Sequence, residues 1–250
     1  HVSLSDVNEK GLAETVELVK PYNVRVTSKK VNVAKLEEVR TWAEETVQNH
    51  GSVNMIFNNA GVALGSTVEG SNYEDLEWIM GINYWGVVYG TKEFLPYLKK
   101  TGEGHIINTS SLFGLTAQPT QSAYNSTKFA VRGFTESLRQ ELDIENSGVS
   151  ALSVHPGGIR TNIANDARMS DSIKSMGMNP EKSAKAFNKL LRMPAEEAAQ
   201  QILDAVLKNK RRLLIGNDAK TLDLIQRVLP TGYQRITAMA TKLSKRLEPK

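Results

Sequence analysis

The chain has 250 residues, 40% hydrophobic and 23% charged, with a net charge of +4 and no cysteine. That is an ordinary globular mixture, long enough to bury roughly three quarters of its unfolded surface. The missing cysteines exclude a disulfide framework, a thiolate zinc site and a cysteine nucleophile, and four scattered histidines give no metal site. No apolar run approaches the ~20 residues of a membrane span, and no secretory leader pattern opens the chain. The expectation is a cytoplasmic protein.

The elements alternate between short apolar runs and longer amphipathic ones, the pattern of a parallel α/β sheet. Val2 to Asp6 reads as the end of a strand, and Asn8 to about Lys20 as a helix stopped by Pro21. Val24 to Val33 is strand-like. Lys35 to His50 carries Leu36, Val39, Ala43 and Val47 on one helix face, and Gly51 ends it. Val53 to Phe57 is a buried strand, followed by a long helical region from about Asn72 to Lys100. His105 to Thr109 is the next strand, Ala123 to about Glu145 a helix, and Val149 to Val154 a strand ended by His155-Pro156-Gly157-Gly158. Ala195 to Lys208 is helical, Leu213 to Ile215 is a short strand, and a basic helical segment runs from about Ala219. No Pro/Gly/Ser linker divides the chain, so residues 1–250 read as a single domain.

Ser111, Tyr124 and Lys128 form the constellation with chemistry in it. Tyr124 and Lys128 stand four apart on a predicted helix and share a face. An ammonium beside a phenol favours the phenolate, so Lys128 is expected to lower the Tyr124 pKa toward neutrality, where a tyrosine acts as general acid or base. Ser111 follows a strand, at the end where open α/β sheets bind ligands. Alone, such a pair is common by chance. Its neighbours make it specific: Asn58-Asn59-Ala60-Gly61 after one strand, Asn83-Tyr84-Trp85-Gly86 in the long helical region, and Pro156-Gly157-Gly158-Ile159-Arg160-Thr161 after another.

In this order and spacing the chain resembles the short-chain dehydrogenase/reductase family over nearly its whole length. The resemblance implies a doubly wound parallel sheet of Rossmann-like α/β type and hydride transfer between a nicotinamide cofactor and a secondary alcohol or ketone, an apolar one if the Met-rich segment after Thr161 forms the lid. It implies Tyr124 as the proton donor or base, and Ser111 as a hydrogen-bond partner of the substrate oxygen. Lys128 would hold the nicotinamide ribose and Asn83 a water linking Lys128 to solvent. Asn59, Ala60 and Gly61 would line the adenine-ribose side, with Asn32 and Val33 near the adenine. Ile159 and Thr161, in the loop opened by Pro156 and Gly157, would contact the carboxamide. Asp6 ends a strand where a carboxylate can accept from both ribose hydroxyls and repel a 2′-phosphate, so NAD is expected rather than NADP; helix N-capping is the other role open to that residue.

The family begins with a strand, a glycine-rich turn and a helix, roughly 30 residues that bind the pyrophosphate. No such turn occurs in this chain, which starts inside the strand that comes next. The N-terminal strand-turn-helix is therefore expected to lie outside residues 1–250. A non-catalytic Rossmann-scaffold binding protein, or a truncated fragment that no longer binds the dinucleotide, is the alternative. A homo-oligomer, a dimer or tetramer, is implied by the family, with Trp78, Tyr84, Trp85 and Tyr89 on a helix face that packs either inward or on a partner. No basic stripe interleaved with aromatics points to nucleic acid. In the tail, Leu222, Ile225, Leu229 and Ile236 alternate with Arg227, Arg235, Lys242 and Lys245, which fits a packed helix or weak membrane-surface association.

Overall fold

Alternation of β-branched strands with capped amphipathic helices builds the predicted layers. The computed structural model describes the backbone of residues 1–247 and the side chains of residues 1–243. Strands β1 (Val2–Asp6) and β2 (Val26–Lys30) pair in parallel across helix α1 (Glu9–Val19). Asn8 caps α1 by accepting from the Gly11 N–H, and the Asp6 carboxylate accepts the Asn8 N–H at 2.8 Å. Asp6 is thus not the N-cap; it holds the cap in place.

Helix α2 (Leu36–His50) leads to β3 (Met55–Asn58), which pairs with β5 (Gly104–Thr109), then β6 (Val149–Pro156) and β8 (Arg212–Ile215), all parallel. Helices α3 (Tyr73–Met80), α4 (Gly86–Thr101), α5 (Ser122–Glu145) and α7 (Ala195–Leu207) link and cover these strands. The result is a Rossmann-like α/β fold with a parallel central sheet. Its main core joins Ile56, Phe94, Leu98, Ile106, Leu142 and Ala151. Among the described residues no strand lies between β1 and β3, and the two-stranded and four-stranded sheets are separate.

The long helical region is interrupted. Gly81–Trp85 forms a π turn between α3 and α4, so Asn83 sits in that widened turn and not in regular α-helix. A two-residue parallel ladder, β4 (Leu64–Gly65) with β7 (Arg168–Met169), ties the loop after β3 to the segment after Thr161. Arg168 locks this ladder to α3: its guanidinium lies 3.7 Å from the Trp78 ring and bonds Asp75 at 2.6 Å. Helix α6 (Pro180–Leu190) follows, with no buried residue.

The tail is helical as expected, in α8 (Asn217–Val228) and α9 (Gly232–Leu247). Tyr233 buries its ring and accepts the Ala117 N–H at 3.1 Å, anchoring α9 to the loop before Tyr124. Leu229 and Ile236 are exposed while Leu222 and Ile225 are half-buried. The side chains of Lys245 and Arg246, and Lys250 entirely, lie outside the described residues. Arg211 and Arg212, just before and at the start of β8, pair with Asp143 and Glu136 of α5.

Candidate active site

The loops after β3, β5 and β6 leave the same end of the sheet, and they carry Asn59, Ala60, Gly61, Ser111 and the segment from Gly157 to Thr161. Ser111 lies just past β5 and caps a single 3-10 turn, its Oγ accepting the Phe113 N–H at 3.1 Å. Tyr124 and Lys128 stand one turn apart near the start of α5, facing that turn, and all three side chains are buried. Gly114 permits this approach, since a Cβ there would strike Ser110 Oγ and the Lys128 backbone. Phe113 meets Tyr124 edge-on at 6.2 Å between ring centroids.

Lys128 is only 3% exposed. Its Nζ donates to the Thr109 carbonyl at 2.9 Å and lies 5.6 Å from the centroid of the Tyr124 ring. Burial pushes the Lys128 ammonium down to about 8. Burial also pushes the Tyr124 phenol above its ordinary value, with a hydrogen bond from Ser111 acting against the rise. The expectation that Lys128 lowers the Tyr124 pKa is therefore corrected. The ammonium is spent on the Thr109 carbonyl and the ring face, and desolvation dominates the phenol.

Asn83 is completely buried and fully engaged. Its Oδ1 accepts the Val62 N–H at 2.8 Å, and its Nδ2 donates to the Val62 carbonyl at 2.9 Å and to Thr127 Oγ1 at 3.2 Å. Its amide pins the loop after β3 to α5, so the side chain is a clasp. Gly61 lies directly above: a Cβ there would sit 3.4 Å from Asn83 Oδ1 and 3.5 Å from Lys128 Nζ. Asn59 and Ala60 are exposed beside it, with Thr109 Oγ1 3.3 Å from Asn59 Oδ1.

The loop after β6 closes the far side. The Gly157 N–H donates to Ile215, and the Gly158 N–H donates to the Asp218 carboxylate at 2.7 Å. Gly157 has no room for a Cβ because Asp218 fills that space. Pro156 ends the strand, Ile159 bridges Met193, and Thr161 is exposed at the head of a 3-10 turn. Asp6 and Asn32 lie on the N-terminal pair, away from Tyr124 in the sheet order; Asn32 Oδ1 accepts the Ala34 N–H at 3.1 Å, and Val33 packs under Gly86.

Sequence reading missed a buried amide relay. Asn58 donates to Asn108 Oδ1 at 2.8 Å and to Thr91 Oγ1 at 3.1 Å, and Asn108 donates to Thr135 Oγ1 at 3.0 Å. It joins β3, β5, α4 and α5 beneath the site. Asn58 is thus the scaffold member of the Asn-Asn pair and Asn59 the exposed one. The only local signal was an unlikely polar residue inside each apolar strand.

A model of the short chain dehydrogenase family matches residues 1–172. The chain belongs to the short-chain dehydrogenase family. This is a family of oxidoreductases, and the SadH protein of Mycobacterium tuberculosis is 43% identical over 95% of this chain and 84% of that protein. The dehydrogenase/reductase SDR family member 7B of Xenopus laevis is 30% identical over the whole chain and 76% of that protein. A short-chain dehydrogenase from Burkholderia phymatum, solved in complex with NAD, superposes with a TM-score of 0.83 at 24% identity, covering 91% of this chain and 84% of that one. Levodione reductase gives a TM-score of 0.73 at 26% identity, covering 87% of each chain. Among the described residues no helix is long and apolar enough to cross a membrane, and no acidic, His or Cys group is arranged to hold a metal.

Proposed function

We propose that this short-chain dehydrogenase uses NAD to interconvert an apolar secondary alcohol and its ketone, with Tyr124 as general acid and base. The observation that carries the reading is the buried Tyr124 phenol beside Ser111, with the Lys128 ammonium over its ring.

The residues present fit a nicotinamide dinucleotide. Gly61 keeps the space above Asn83 and Lys128 clear. The exposed Asp6 carboxylate spends one oxygen on the Asn8 N–H, which leaves the other for ribose hydroxyls. Asn32, Val33, Asn59, Ala60, Pro156, Gly157, Ile159 and Thr161 would complete the contacts. When bound, the cofactor carries the hydride.

Everything else falls to side chains. Ser111 Oγ accepts from Phe113 and stands against the Tyr124 phenol, and its hydroxyl proton can turn from that phenol to hold a substrate oxygen. Tyr124, kept protonated by burial, gives its proton to that oxygen in the reducing direction and takes it back in the oxidising one. Lys128, tethered to Thr109 and lying over the Tyr124 ring, would hold the nicotinamide ribose. Phe113 meets Tyr124 edge-on, and Val62, Ile163 and Ala167 pack against the buried cluster that includes Tyr124, an apolar surround that favours apolar substrates. Exposed Trp85 and Phe129 are the face that a second copy would cover in a cytoplasmic homo-oligomer.

The test is initial rates with NAD and with NADP against polar and apolar secondary alcohols, cyclohexanol among them. NAD-linked oxidation favouring apolar alcohols is expected, and Asp6→Ala should erode the NAD preference at least about tenfold, the loss of one charged hydrogen bond. Preference for NADP, or an unchanged ratio in Asp6→Ala, removes Asp6 from the account.

A further inference from the structure

Ser111 stands two residues beyond Thr109–Val154, the last pair of the β5–β6 ladder. The Ser110 N–H still donates to the Val154 carbonyl at 2.8 Å. At the next residue a side chain takes over from the backbone: His155 Nδ1 lies 2.9 Å from the Ser111 carbonyl, which also accepts the Gly114 N–H at 2.9 Å. The His155 ring is completely buried, and its Nε2 lies 2.9 Å from Ser153 Oγ. A carbonyl only accepts, so Nδ1 bears the hydrogen and Nε2 accepts from the Ser153 hydroxyl. One tautomer satisfies both contacts. Burial, the dominant cause, pushes the ring down to about 4, opposed by the Ser111 carbonyl; Arg212, Arg132 and Glu136 act more weakly. The ring is neutral at physiological pH.

We propose that His155 is a positioning residue for the reaction: held in one tautomer by Ser153, it fixes the Ser111 peptide and so aims Ser111 Oγ at the oxygen that Tyr124 protonates. This rests on the reading of Ser111 given above. The 3-10 turn that starts at Ser111 is short, and Gly114 alone would hold the carbonyl from one side only. The histidine supplies the second donor from the rigid strand β6, and a serine hydroxyl mis-aimed by a fraction of an ångström loses much of its effect.

The test compares His155→Asn with His155→Gln in the full chain, by kcat and KM with NAD and cyclohexanol and by thermal midpoint. Asn places its amide nitrogen near the Nδ1 position, whereas Gln reaches only the Nε2 position. Both lose ring volume, so a purely structural role lowers both midpoints and leaves kcat alike. Positioning predicts His155→Asn within about threefold of wild-type kcat and His155→Gln down about 10- to 100-fold, with the KM for NAD unchanged in both. Equal kcat values overturn the proposal. Should neither variant fold, Ser153→Ala keeps the histidine in place: reduced kcat at unchanged KM for NAD supports positioning, and full kcat overturns it. Ser111→Ala separates the two failures. Full activity there sinks the reading of Ser111 itself, and the positioning role with it. Loss in Ser111→Ala without loss in His155→Gln sinks the positioning role alone.

Discussion

The β1–β2 pair and the four-stranded sheet are made of the same parallel βα units, yet they are built to different standards. In β5 and β6 most residues are buried, whereas in β1 and β2 none is. The pair is held to the rest through side chains: Trp42 packs on Phe94 and donates to Ser3 Oγ, Arg40 of α2 reaches Glu93 of α4, and Val33 rests under Gly86. On the other side, β3 leaves Met55 and Phe57 each 45% exposed. The division follows the proposed chemistry. Groups that must be aimed to fractions of an ångström stand at the end of the buried sheet or on α5, which packs against it, and Asp6 and Asn32, which need only offer polar atoms, stand on the pair.

Core truncation gives the largest test of that contrast. Ile106→Ala, in the middle of β5, should cost about 2–5 kcal/mol of unfolding free energy, whereas Leu4→Ala in β1 should cost less than about half as much. Urea unfolding reads both, and equal losses would erase the distinction. Acid comes next. His155 has a folded pKa near 4 against about 6.5 unfolded, so its contribution is complete above about 6.5 and is lost as pH falls toward 4. That amounts to on the order of 3 kcal/mol, and His155→Asn should flatten this acid limb in urea midpoints measured from pH 7 to 4. An unaltered limb would place the acid lability elsewhere. Gly90→Ala drives a Cβ into the Asn58 amide, breaks the relay beneath the site and should cost about 1–3 kcal/mol. The smallest effect belongs to the pair's surface: Glu9→Gln removes the exposed Lys30–Glu9 contact and should leave the midpoint unchanged.

Much of the four-stranded sheet was legible because buried parallel strands write themselves as short, mostly apolar runs, as Ile106-Ile107 and Val149 to Val154 do, the latter broken only by Ser150 and Ser153. The triad was legible because Tyr124 and Lys128 lie at helical spacing and Ser111 follows a strand. The rest depends on contacts with no local period. The β4–β7 ladder joins segments about a hundred residues apart by two residues each. The π turn at Asn83 arises because its amide is drawn to Val62 and Thr127, not from helix propensity. The rise of the Tyr124 pKa was hidden for a similar reason. The spacing shows that an ammonium is near, but not that the Thr109 carbonyl claims it or that the phenol is dry.

Tyr124→Phe tests the central claim most directly, with turnover and NAD affinity measured on the same preparation. The account predicts a fall of about 10²–10⁴-fold in kcat, the ordinary worth of a positioned proton donor, with NAD affinity nearly unchanged. A variant that keeps more than about a hundredth of the wild-type rate while binding NAD normally would contradict it.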